Sequence, residues 1–147
     1  MHRFVSPLSV ACVLISALVL ADRAAAESRP YSSRGTAQFV SPTEFVGSGE
    51  ATHLGRYSEA GTVSFTPTSD PAVLHVEGSI VYTAANGDEL HANISGELNA
   101  ATGAVAASVS YVGGTGRFAA ATGSSSLSGQ LGAGGAISVT VSGRIDY

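Results

Sequence analysis

Between Leu74 and Leu98 apolar and polar side chains alternate so strictly that almost one backbone conformation satisfies them. Leu74, Val76, Gly78, Ile80 and Tyr82 fall on one side of an extended strand, and His75, Glu77, Ser79 and Val81 on the other. Asn86-Gly87 marks a turn. Leu90, Ala92, Ile94, Gly96 and Leu98 then share a face, with Glu89, His91, Asn93, Ser95 and Glu97 opposite. The pattern also fixes the register. A two-residue Asn-Gly loop pairs Tyr82 with His91 and Ile80 with Asn93, setting apolar rows against polar ones. A three-residue loop of Ala85, Asn86 and Gly87, with Gly87 left-handed, pairs Tyr82 with Leu90 and Ile80 with Ala92. Only the second puts both apolar rows on one face, because a slip of one residue inverts every side chain.

The same period continues along the chain. Strands are expected over 36–40, 45–54, 56–66, 73–82, 90–98, 104–111, 124–131 and 137–145, with turn residues recurring between them. Pro67 and Pro71 bracket one loop, and Gly132 to Gly135 form another. No stretch carries a helical apolar stripe. The fold class is therefore all-β. About eight antiparallel strands joined by hairpins close most simply as an up-and-down β-barrel, which leaves no sheet edge exposed. A β-sandwich is the alternative. Inward Gly78, Gly96, Gly129 and Gly143 fit either tight curvature or space kept for a ligand.

The chain starts differently. Met1, His2 and Arg3 give a short positive start, residues 4–20 are mostly apolar, and Ala24-Ala25-Ala26 offers a small-residue cleavage site. This is the layout of a secretory signal peptide over 1–26, and it predicts an extracellular or periplasmic protein with no stable membrane anchor. The only cysteine, Cys12, falls inside that segment, so the mature chain must hold together without disulfides. Residues 27–34 are polar and contain Pro30, and are expected to form a flexible lead before a single domain over 35–147. The remaining length, roughly 120 residues, suffices for one core. With seven arginines, no lysine and a net charge of −4, the chain has no basic stripe for nucleic acid. The alanine- and arginine-rich, lysine-free composition points to a GC-rich bacterial gene, in which the sequon Asn93-Ile94-Ser95 carries no glycosylation meaning.

The sharpest local motif runs from Tyr111 to Gly123, YVGGTGRFAAATG. Gly114-Thr115-Gly116 with Ala119 satisfies a dinucleotide-binding spacing, but no crossover helix follows and no acidic residue stands where a ribose needs one. The segment instead resembles the G-G-T-G-x-F-x-x-A-x-G signature of the allene oxide cyclase and dirigent β-barrels. It lies after a strand and about two strands before the C-terminus, as in that family. The segment from Gly49 to Arg56, GEATHLGR, resembles bacterial exported relatives of unassigned function. The resemblance implies a closed, calycin-type antiparallel barrel with a mainly apolar cavity, often in a homo-oligomer. It also implies either cyclisation of an epoxy fatty acid or guided coupling of phenolic radicals. The matched residues shape the barrel, and none of the family's functional residues maps onto this chain.

Four side chains are candidates for chemistry inside such a barrel. Tyr57, Glu59, Gly61, Val63 and Phe65 share a face, so if Val63 and Phe65 point inward, Tyr57 and Glu59 do too. A carboxyl facing an apolar cavity has a raised pKa and can act as a general acid or base, which makes Glu59 the candidate catalytic residue. Tyr57, Tyr82 and Tyr111 could hydrogen-bond a ligand oxygen. The plainer expectation puts Glu59 at the barrel mouth in water and makes the tyrosines core residues with satisfied hydroxyls. No metal site is expected: His91 and His75 lie six residues apart on one side of the hairpin, about 20 Å along the strands. His75 is expected to pair across the strands with Glu97. No nucleophilic triad can be assembled and no cofactor is implied. The sequence therefore supports a secreted barrel binding an apolar or phenolic small molecule. The alternatives are an isomerase or cyclase using Glu59, or a filled structural barrel that only makes surface interactions.

Overall fold

The computed structural model describes residues 26–147. Residues 1–25, which hold most of the expected signal peptide and Cys12, lie outside the described residues. The remainder is eight antiparallel strands: β1 (Ser28–Phe39), β2 (Glu44–Ala51), β3 (Gly55–Pro67), β4 (Val73–Ala84), β5 (Glu89–Asn99), β6 (Ala104–Gly114), β7 (Thr122–Leu131) and β8 (Ala136–Asp146). Each strand pairs with the next, and β8 pairs with β1, so the sheet closes into a barrel. The β4–β5 hairpin has the register that the alternation dictates, Tyr82 against Leu90 and Ile80 against Ala92. Gly87 at the end of its three-residue loop has φ 89°. The Ala84 N–H donates to the Asp88 carbonyl at 2.8 Å and closes that loop.

Two boundaries differ from expectation. Residues 28–34 are not a loose lead: they are the first half of β1, paired from Ser28↔Asp146 to Arg34↔Thr140 along β8. Tyr31 and Ser33 continue the inward alternation of Gly35, Ala37 and Phe39, and both are buried. Pro30 is tolerated because β2 pairing reaches no further than Ser33. Its carbonyl meets only the His53 ring, at 2.9 Å, so the N–H that proline lacks is missing from an unpaired edge. The second difference is β2, which ends at Ala51 rather than running to residue 54. The chain turns at Thr52, His53 and Leu54, with His53 at φ 71°, and Leu54 folds into the core.

The two ends of the barrel are unlike. Where the chain enters and leaves, Leu90, Phe118 and Ile145 are 0% exposed and Leu54 is nearly so, which closes that end. The motif residues produce this closure. Thr115 exchanges two hydrogen bonds with the backbone of Glu89, at 2.9 Å each, and a single 3-10 turn over Gly116–Phe118 carries the Phe118 ring beneath the barrel. At the other end the rim is a ring of half-buried apolar side chains, Phe39, Phe65, Leu74, Val105, Leu131 and Ile137. Gly78, Gly96 and Gly143 serve curvature and not ligand space: a Cβ on any of them would run into the neighbouring strand's backbone, at Thr62, Ala106 and Ser124 respectively. Outward positions are polar, as in Ser124, Ser126 and Ser128 of β7 and Ser138, Thr140 and Ser142 of β8. This is the reverse of the apolar-out pattern of a membrane-spanning barrel.

Candidate functional site

From the apolar rim an internal cavity of about 70 Å³ runs down the barrel axis. Its walls are aliphatic and aromatic, with Phe39, Phe45 and Phe65 forming an aromatic group toward the rim. Glu59, Tyr57 and Tyr82 also line it. Glu59 stands on β3 between Gly47 of β2 and Tyr82 of β4.

The carboxyl is inside the barrel and not at a watery mouth: Glu59 is only 6% exposed. The reason is depth along the strand. The rim on β3 is at Phe65, six residues on, which puts Glu59 about 20 Å down the strand at ordinary strand rise. Gly47 makes room for it, since a Cβ on that glycine would lie 2.6 Å from Glu59 Oε1. Among the described residues no hydrogen bond or ion pair reaches the carboxyl. Burial pushes its pKa up from 4.5 to about 7.

All three expected tyrosines are buried inside the barrel, but only Tyr57 and Tyr82 line the cavity; Tyr111 stands off its walls and packs against a fourth, Tyr31. Tyr57 and Tyr82 meet edge to face with ring centres 5.4 Å apart, and Tyr31 and Tyr111 do so at 5.2 Å. The Tyr57 hydroxyl lies over Gly35 and Gly49, at 2.6 Å from where either would carry a Cβ. Tyr111 OH shares a hydrogen bond with Ser125 Oγ at 2.8 Å. Tyr31 OH and Ser33 Oγ are buried without a protein partner at hydrogen-bonding geometry. Burial pushes the Tyr57 phenol up to about 12, helped by the Glu59 charge and offset by the nearby Ser33 hydroxyl. Tyr111 is pushed to about 12 by burial, with Ser125 offsetting. Tyr31 and Tyr82 are raised by burial first, then by neighbouring phenols and Glu59. All four phenols stay neutral near neutral pH, so they donate hydrogen bonds and carry no charge.

Tyr31, Ser33 and Ser125 are buried groups off the cavity walls, next to these tyrosines, that the sequence alone does not single out. For the first two the available signal is the alternation Tyr31, Ser33, Gly35, Ala37, Phe39, masked by Pro30 and the surrounding polar run. The histidines lie apart from the site. His75 faces Glu97 in register, yet its Nε2 pairs along its own strand with Glu77 at 3.2 Å. His91 pairs similarly with Glu89 at 2.9 Å, and His53 sits at the closed end. Among the described residues no group of three or more metal-ligating side chains converges.

The arrangement can bind a slender apolar group and offer it one acid of near-neutral pKa and the phenols of Tyr57 and Tyr82. The chain matches no protein-family model and no curated protein, so the chemistry of the site rests on its own groups.

Proposed function

We propose that this is a secreted binding protein whose barrel takes one small, mainly apolar molecule through the apolar rim. The observation that carries the reading is the cavity itself, walled by apolar side chains and, among the described residues, holding one carboxyl without a partner. A filled structural barrel would have no need to keep Glu59 buried there, because burying an unpaired acid costs stability. The size of the cavity, about 70 Å³, suits a single ring or the end of an alkyl chain whose remainder lies along the rim. Native mass spectrometry of the protein purified gently from its own host tests this. An excess mass of one small molecule per barrel, released on denaturation, supports it, and the same spectrum gives the oligomeric state. A clean apo mass in the wild type, together with no uptake of any added hydrophobic probe, overturns it.

One observation favours a second reading, an isomerase or cyclase of the kind the allene oxide cyclase-like resemblance implies. A carboxyl with a pKa of about 7 is poised to exchange a proton at neutral pH, with Tyr57 and Tyr82 as phenols beside it on the cavity wall. On that reading Glu59→Gln abolishes turnover and keeps binding.

A further inference from the structure

Among the described residues the interior holds one acid and no base. Among the described residues Arg34 and Arg56 are exposed, and Arg29, Arg117 and Arg144 make their contacts at the closed end or outside it. The histidines lie outside the cavity as well. Glu59 faces an apolar space without a hydrogen bond or ion pair among the described residues, and 94% of its surface is removed from solvent by its 6% exposure. Such a carboxyl either keeps its proton or takes a cation from outside the chain.

We propose that the occupant of this cavity is an amphiphile with an ammonium head, held by Glu59, whose apolar chain or ring extends toward Phe39 and Phe65. This rests on the binding reading above and names its ligand class. The charge pattern is complementary: among the described residues a cation finds its interior counter-ion at Glu59 alone, while a carboxylate ligand meets the same charge with no interior cation to offset it. The neighbouring phenols complete the shell. Tyr57 and Tyr82 present ring faces and edges beside the carboxyl, and aromatic faces attract a desolvated cation. A neutral alcohol can hydrogen-bond to the protonated acid but gains no ion pair.

The binding is linked to protons. Glu59 must be ionised to pair with an ammonium, so affinity rises by about tenfold per pH unit until Glu59 titrates, then levels off. The titratable groups that interact with Glu59 are Tyr31 of β1, Tyr57 of β3 and Tyr82 of β4, and Tyr111 of β6 lies behind Tyr31, bonded to Ser125. All are raised phenols that do not ionise in the relevant range. The inward residues of β2, β5, β7 and β8 include no titratable side chain among the described residues.

Calorimetric titration of the purified protein with hexylamine, hexanol and hexanoate, at about pH 5.5 and about pH 8, tests the proposal. The expected result is hexylamine binding about thirtyfold tighter at the higher pH, with a proton released at the lower one, and tighter than hexanol at the higher pH. In Glu59→Gln the amine loses both its preference and its pH dependence. Hexanol or hexanoate binding as tightly as hexylamine at the higher pH overturns the ammonium head and leaves the cavity as a binding site. Absence of binding by all three overturns the binding reading itself. The wild-type pH dependence decides the matter even if the variant fails to fold.

Discussion

Glu59 and Gly47 face each other across β3 and β2, and the carboxylate oxygen occupies the space an alanine methyl would need, 2.6 Å from that ideal Cβ. The same Cβ would lie 2.6 Å from the Thr36 carbonyl and 2.9 Å from Ala37 Cα. Backbone on one side cannot give way, so Gly47→Ala must displace the acid or part the strands. The expected cost is about 1–3 kcal/mol, with weaker ligand uptake, read from urea unfolding and probe titration. A variant as stable as wild type would mean that β2 shifts freely.

Burial of Glu59 sets a pH dependence of stability. Its pKa is higher folded, at about 7, than its ordinary 4.5, so the folded state holds the proton more tightly. Stability from this group is full below about 4.5, falls as pH rises through about 7, and then stays low. The difference is on the order of 3 kcal/mol. Unfolding of wild type and Glu59→Gln across this range measures it: the wild-type curve should fall relative to the variant with rising pH, and parallel curves would refute the burial.

Two phenols should respond oppositely to loss of their hydroxyl. Tyr111→Phe leaves the Ser125 hydroxyl buried and unpartnered, at a cost of about 1–3 kcal/mol. Tyr31 OH lies near Ser33 and Tyr111 but bonds to neither at hydrogen-bonding geometry, so Tyr31→Phe strands no partner and should be neutral or stabilising. Denaturant midpoints of the two variants decide this, and equal losses would show that Tyr31 has a partner in solution.

Phe118 closes one end of the barrel and packs 5.0 Å, centre to centre, from the Tyr147 ring. Phe118→Ala should cost about 3–5 kcal/mol and admit water from the closed end. Thermal unfolding and faster amide exchange at Leu90 and Ile145 check it. A variant with wild-type stability would deny the motif its structural role.

Alternation alone is enough to give the hairpin register, the strand count and the shared inward face of Tyr57, Glu59, Val63 and Phe65, because parity is a local property. The depth of Glu59 is not local. It depends on Phe118 and Leu54, distant in sequence, closing one end while the other stays open. The strand character of residues 28–34 is hidden for a similar reason: β8, the partner that orders them, lies at the opposite end of the chain. His75 shows the limit at side-chain level, since its register partner is Glu97 but rotamer freedom takes its ring to Glu77.

The seam between β1 and β8 has a kinetic consequence. Arg29 bonds to Tyr147 across 118 positions, and Ser28 pairs with Asp146. Residues 33–39 of β1 can pair with β2 early, but residues 28–32 have only β8 as a strand partner and cannot settle until it has arrived. Every earlier hairpin can form as it is made, yet two raw sheet edges persist to the last, and closure waits on the slowest kind of contact a chain can make.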